Sequence, residues 1–230
     1  MEDMRSAHTW NRNRLKFLLA GPLLECINRF MPGGPHERLV DEVAAVQPRR
    51  VLELCGGTAY ASRLLSARLP NVEIDSIDIS PEMLAVGRSR LHRSGTHNVR
   101  LHHADVCELP LGDNTFDVVM SVFGWHELPT DVRHQAIAES SRVLQSGGVI
   151  VTVDHDAPPR FRRAYHVHLR MMEPPYAREV VGEGLRDHFV QHRFTVTHHR
   201  PATSWTAPFQ VVRAEMHAQD PVHTSSRKPP

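Results

Sequence analysis

Val51-Leu52-Glu53-Leu54-Cys55-Gly56-Gly57-Thr58-Ala59-Tyr60 is the stretch on which the fold turns. Val51, Leu52 and Leu54 form an apolar run of strand length, and the residues after them are small. From Ala61 to Leu69, Leu64, Leu65 and Leu69 recur at helical spacing until Pro70 stops the pattern. A strand that runs into a small-residue turn and then a helix lets a ligand approach the backbone closely. It also sets that ligand beside free N–H groups and the positive end of the helix dipole.

Asn71 to Asp78 forms the next strand. Asp78 falls about 20 residues past the turn, where a βαβ nucleotide-binding unit keeps its ribose-binding carboxylate. Ser80-Pro81-Glu82-Met83 then opens a helix with a capping hydroxyl and a proline at its first position. Together these segments resemble motifs I and II of the class I S-adenosylmethionine-dependent methyltransferases. In the acid-x-Gly-x-Gly-x-Gly pattern of that family, Glu53 is the acid and Gly57 the central glycine, while Cys55 and Ala59 stand where the outer glycines belong. A nicotinamide-type Gly-x-Gly-x-x-Gly would need glycine at Cys55, Gly57 and Tyr60, which fits worse.

The resemblance continues. Ala104-Asp105, followed by Leu109-Pro110-Leu111, is similar to the family motif whose acid accepts the adenine amino group, with Val106 near the ring. Trp125-His126-Glu127-Leu128-Pro129 resembles the Leu-His-His-Leu-Pro segment of the ubiquinone and menaquinone C-methyltransferase branch, with Glu127 in place of the second His. Arg142-Val143-Leu144, closing on Gly147-Gly148, is another family phrase. The resemblance implies S-adenosyl-L-methionine as cofactor, held by Glu53, Leu54, Cys55, Gly56, Gly57, Asp78, Ile79, Met83, Asp105, Val106 and Ser121. It implies a doubly wound, Rossmann-like, mainly parallel seven-stranded α/β sheet with helices on both faces.

Bulk properties agree with one domain. The chain has 230 residues, 40% hydrophobic and 23% charged, enough for one sizeable core. A formal net charge of +1 without a basic run gives no reason to expect a nucleic-acid partner. Cys26, Cys55 and Cys107 are odd in number and lack metal-type spacing, which suggests reduced thiols in a cytoplasmic protein. Met1 to Trp10 lacks the apolar centre of a signal peptide, and no run of about 20 apolar residues is present to span a membrane. A homodimer is compatible with the chain.

Histidine is abundant, at 17 residues. Of the groupings His102-His103, His166/His168, His188/His192 and His198-His199, only His188/His192 has a helical spacing that aims two rings at one ion. No third ligand stands in an obvious relation to any pair, so the expectation is no metal.

In order along the chain, residues 8–30 read as two short helices broken at Gly21-Pro22, and Leu39, Val43 and Val46 as the stripe of a third that Pro48 ends. Residues 1–47 are therefore expected to form a helical cap or lid, residues 48–216 the cofactor-binding domain and residues 217–230 a flexible tail. Packing on one face of the sheet is the other reading of the first segment. A basic membrane-surface helix around Arg12, Arg14 and Lys16 is a third. The third strand should run from Val99 to Asp105 and the fourth from Phe116 to Ser121. A helix should follow from Asp131 to Leu144, ending at Gln145-Ser146-Gly147-Gly148. Val149 to Val153 then reads as the fifth strand, residues 155–180 as an inserted substrate cap, Val180 to His192 as a helix, and Phe194 to His199 and Pro208 to Met216 as the last strands.

Cys55, Asp78, Asp105, Gly124 to Glu127 and Asp154 then all lie at carboxyl ends of strands, where such sheets bind ligands. His126 is the candidate base for an acceptor that must lose a proton, with Glu127 in reserve. Trp10, Trp125, His155 and Tyr165 are candidate contacts for a small-molecule acceptor, aromatic, quinone-like or a secondary metabolite, methylated on carbon, oxygen or nitrogen. Two other functions stay open: an enzyme that keeps the cofactor but catalyses a cyclisation or decarboxylation, and a non-catalytic cofactor-binding protein.

Overall fold

The buried runs at residues 51–54, 74–77, 118–121 and 149–154 take their places in one sheet. The computed structural model describes residues 34–157, 162–203 and 208–217. Its strands are β1 (Arg50–Leu54), β2 (Glu73–Asp78), β3 (Val99–His103), β4 (Phe116–Val122), β5 (Leu144–His155), β6 (Phe194–Thr203) and β7 (Pro208–Met216). They lie in the order β3-β2-β1-β4-β5-β7-β6. The first five strands in that order pair in parallel, and β7 runs antiparallel to both β5 and β6. The order reverses between β1 and β4, which places a ligand crevice at their carboxyl ends.

Six helices accompany the sheet among the described residues: α1 (Pro35–Val46), α2 (Tyr60–Arg68), α3 (Pro81–Ser94), α4 (Thr130–Val143), α5 (Arg162–Met172) and α6 (Gly184–Gln191). Short 3-10 turns cover Trp125–Glu127 and Pro175–Val180. Side chains alternate along each strand, so one sheet feeds two cores. Val51, Val118, Met120 and Val151 point to the face covered by Leu39 and Val43 of α1. Leu52, Val119 and Ile150 point to the face covered by Ile137 of α4 and Phe189 of α6. Burying each such side chain contributes about 1.5–3 kcal/mol. α3 is capped at both ends: the Met83 N–H donates to Ser80 Oγ at 3.2 Å, and Gly95 closes the helix at φ +64. No described helix is long and apolar enough to cross a membrane.

Several boundaries differ from the sequence reading. α1 is a packing layer against β4, β5, β7 and α2, with Leu39 and Val43 fully buried, so a division at residue 47 would cut through one core. The two short helices expected over residues 8–30, Trp10 and Cys26 lie outside the described residues, as does the tail from residue 218. β3 stops at His103, because the Asp105 carboxylate turns back to accept the Cys107 N–H at 2.9 Å. α4 passes straight into β5 at Leu144, and Gln145 to Gly148 form a bulge instead of a turn: Phe116 pairs with Leu144, yet Val118 pairs with Val149. The helix expected over Val180–His192 is divided, since Gly182 sits at φ +68 and the helix begins only at Gly184.

Candidate active site

The turn after β1 keeps its backbone shape despite its sequence. Cys55, Gly57 and Ala59 have φ values of 53, 55 and 57, all left-handed, at the three positions where the pattern places glycine. Gly56 between them has no room for a side chain: an added Cβ would stand 2.0 Å from Ser76 Oγ and 2.8 Å from Glu53 Oε2. Beneath it Glu53 is 3% exposed and accepts from the Ser62 hydroxyl and, at 2.7 Å, the Ser76 hydroxyl. Burial pushes its carboxyl up to about 7 even though both hydroxyls favour the charged form. Leu54 is buried and offers the site only its backbone.

Asp78 ties this turn to the end of β2. Its two oxygens accept the Gly57 N–H at 2.7 Å and the Ser80 N–H at 2.8 Å, and each retains a further lone pair. Burial raises its pKa against the pull of those N–H groups. Ile79 is 41% exposed beside it, and the Met83 methyl lies 3.2 Å from where a Gly57 Cβ would be. Val106 is buried after β3, next to Asp105. On β4 the buried Ser121 hydroxyl has no hydrogen-bond partner among the described residues. It faces Gly124, whose Cβ would fall 2.4 Å from Ser121 Oγ and 2.9 Å from the Cys55 Cβ. An unobstructed turn, two carboxylates at successive strand ends and an unsatisfied hydroxyl on the floor fit the sugar, base and amino-acid ends of S-adenosylmethionine.

Beyond β4 the chain passes through Phe123, held at φ 52, into the 3-10 turn that carries His126. Positive φ in a bulky residue is costly and marks a site where position outweighs strain. Asp154, fully buried at the end of β5, accepts the Trp125 and His126 N–H groups on Oδ2 at 3.0 and 3.2 Å. Its Oδ1 accepts the His155 N–H at 2.7 Å and meets His126 Nδ1 at 2.8 Å. Glu127 Oε1 lies 3.5 Å from His126 Nε2. Burial alone would lower the His126 pKa, but Asp154 and Glu127 outweigh it and hold the ring well above its usual range. Asp154 is held low because the His126 charge overcomes its own burial.

Trp125 requires a correction as an acceptor contact. It is 1% exposed and stacks edge-on against Phe189 in the core. His155 and Tyr165 do meet, Nδ1 to hydroxyl at 2.8 Å. His188 and His192 are drawn to different partners, Arg133 Nη1 and His134 Nδ1, each at 2.9 Å. Neither described thiol is set up as a nucleophile: burial, with Asp78 nearby, lifts Cys55 well above its usual range, and burial beside Asp105 pushes Cys107 up to about 12. Sequence reasoning missed Arg133, whose only signal is a charge on the apolar face of α4. It is fully buried and bonds the Trp125, Leu128 and Tyr176 carbonyls at 3.0, 2.9 and 3.3 Å, which fixes the turn bearing His126.

Comparison with known proteins agrees with this architecture. Residues 51–148 match the methyltransferase domain family. A demethylmenaquinone methyltransferase of Listeria welshimeri is 33% identical over 131 residues, covering 56% of this chain and 55% of the relative. The chain thus spans about half the length of such curated relatives. A demethylmenaquinone methyltransferase of Thermus thermophilus is 31% identical over 159 residues, covering 66% of this chain and 71% of its own. Among solved structures, a SAM-dependent methyltransferase from Aquifex aeolicus superposes with a TM-score of 0.58 at 20% identity, over 73% of this chain and 82% of that one. Strand order, the tethered turn and the Thermus match together show that the chain belongs to the class I S-adenosylmethionine-dependent methyltransferases.

Proposed function

We propose that the protein transfers a methyl group to carbon, oxygen or nitrogen of a small acceptor, with an aromatic or quinone-like compound as the first choice. The observation that carries this reading is the Asp78 clamp: a carboxylate holding the Gly57 and Ser80 N–H groups, with lone pairs left for ribose hydroxyls. The names of the relatives support the quinone class.

S-adenosylmethionine, when bound, supplies a methyl on a sulfonium sulfur, so the acceptor's electron pair forms the new bond to carbon while the carbon–sulfur pair stays with sulfur. Asp78 and Asp105 would hold the two ends of the adenosine, and Glu53 would serve the amino-acid end. The protein's remaining task is to hold the acceptor atom in line and exclude water. His126, oriented through Nδ1 by Asp154, faces the acceptor side with Glu127 at its other nitrogen. There it keeps an acceptor oxygen in its anionic, nucleophilic form, the proton passing to Glu127 or solvent.

Incubation of the protein with methyl-labelled cofactor and a metabolite extract, read by mass spectrometry, tests this. Labelled product with demethylated cofactor supports methyl transfer. Product formed with intact cofactor would assign a non-methylating reaction, and cofactor binding alone a non-catalytic one.

A further inference from the structure

The acceptor side holds a group of side chains that adenosine recognition does not use. One donor atom from each of His126, His155 and Glu173 lies within 4.8 Å of the other two. Three separate segments supply them: the turn after β4, the end of β5 and the residue following α5. The two imidazole rings are 4.4 Å apart between centroids, inclined at 63°.

Both rings are already oriented. A metal-bound neutral imidazole carries its hydrogen on the nitrogen that does not bind the ion and gives it to an oxygen. His126 Nδ1 has Asp154 Oδ1 at 2.8 Å, and His155 Nδ1 has the Tyr165 hydroxyl at 2.8 Å. In that tautomer Nε2 is the ligating nitrogen of each ring, and at His126 the ion takes the place of the proton that Nε2 shares with Glu127. Asp154 binds the backbone N–H of both histidines as well, so one buried carboxylate sets the spacing between them. Tyr165, Leu169 and Glu173 fall four residues apart along α5 and its end, on one face, with Leu169 fully buried as the anchor. The helix that orients His155 through its tyrosine therefore also delivers the carboxylate. Glu127 adds a second acid at the rim, 3.5 Å from His126 Nε2.

We propose that His126, His155 and Glu173 form a binding site for a divalent first-row transition-metal ion, and that the ion receives an oxygen of the methyl acceptor. Two imidazoles with one carboxylate suit zinc, iron(II), manganese or cobalt better than the oxygen-seeking calcium and magnesium, and three protein ligands leave positions open for substrate. An acceptor hydroxyl on the ion loses its proton far more readily, as zinc-bound water does when its pKa falls to about 7. The O–H pair stays on the oxygen and the proton passes to Glu127 or solvent. The role toward the acceptor rests on the methyltransferase reading; the site itself does not.

The test uses chelator-stripped protein, without cofactor or acceptor, titrated with cobalt(II) by visible absorption and with zinc by calorimetry. The expected result is saturation at about one ion per chain, with His155→Gln and Glu173→Gln each weakening affinity by about tenfold or more and Tyr165→Phe by roughly tenfold. Cofactor affinity of the stripped variants should stay at the wild-type value, and each variant should still unfold cooperatively. Because 17 histidines offer adventitious sites, binding that survives both ligand substitutions overturns the proposal, as does the absence of a cobalt spectrum. Methyl transfer at full rate by stripped protein would overturn the ion's role toward the acceptor while upholding the methyltransferase reading. Metal binding lost in both variants, with no methylated product from any acceptor, would uphold the site and remove that reading.

Discussion

Asp154 Oδ1 meets His126 Nδ1 at 2.8 Å, with the two side chains 0% and 4% exposed. The same carboxylate holds three backbone N–H groups, so it is at once a structural tie and the residue that aims His126. Asp154→Asn brings an amide nitrogen against N–H donors and forfeits charge-assisted bonds of about 1.5–3 kcal/mol each. We expect at least about 2 kcal/mol less unfolding free energy in urea and a kcat lower by about 10–100-fold. Cofactor affinity by calorimetry should stay within a few-fold, because the proposed adenosine contacts come from the ends of β1 to β3. An equal loss of cofactor affinity would place His126 on the wrong side of the sulfonium.

The β1 turn separates two substitutions one residue apart. Gly56→Ala forces a Cβ to 2.0 Å from Ser76 Oγ and 2.8 Å from Glu53, an overpacking that should cost about 1–3 kcal/mol and most cofactor affinity. Cys55→Gly instead relieves a left-handed residue at φ 53. The relief of about 1–2 kcal/mol is largely offset by the unfolded-state entropy of glycine and the lost sulfur packing, so stability should move by less than about 1 kcal/mol. Binding should be retained. A Cys55→Gly protein that binds cofactor normally but does not turn over would make the thiol a participant in the chemistry.

Glu53 predicts a pH dependence of cofactor binding. Burial lifts its folded pKa to about 7, while in the unfolded chain it ionises near the ordinary glutamate value of 4.5. Between those values the folded state holds the extra proton, so this group's contribution to stability falls as pH rises through that window. The ammonium of the cofactor favours the ionised form, so binding releases a proton. Affinity should therefore tighten by roughly tenfold from pH 6 to pH 7.5, and the slope should vanish in Glu53→Gln. Calorimetry in buffers of different ionisation enthalpy measures the released proton directly. A flat wild-type profile would remove Glu53 from the amino-acid end.

Arg133 is the positioning residue for the turn. Arg133→Met leaves three carbonyls without their donor and should cost about 3 kcal/mol in denaturant unfolding. Arg133→Lys should recover only part, since one ammonium lacks the planar fork. A structural role alone would lower stability and leave kcat of the folded fraction intact. A positioning role lowers kcat in Arg133→Lys at a temperature where that variant is fully folded.

The turn and strand-end carboxylates of the proposed cofactor site were legible because they follow one another along strand, turn, helix and strand, and local spacing preserves them. Even the departures at Cys55 and Ala59 left the reading intact, since the backbone keeps its left-handed shape there. The acceptor half was legible in part: His126, His155 and Tyr165 were read as candidates, but not their grouping with Glu173, which only the β4–β5 register and the packing of α5 bring about. Trp125 misled for the opposite reason: an aromatic beside a candidate base is indistinguishable in sequence from one packed on Phe189. The bulge at Gln145 to Gly148 carries a turn composition yet stays in the sheet, because Leu144 already pairs with Phe116.

The most direct measurement of methyl transfer uses cofactor labelled in its methyl group, incubated with a panel of reduced quinone-like and phenolic acceptors and wild-type or Asp78→Ala protein. Mass spectrometry should find a product heavier by one labelled methyl, in step with demethylated cofactor, and about tenfold weaker cofactor affinity in Asp78→Ala because its carboxylate bonds to ribose are lost. Unlabelled product beside intact cofactor, or a folded Asp78→Ala protein with unchanged affinity, would contradict it.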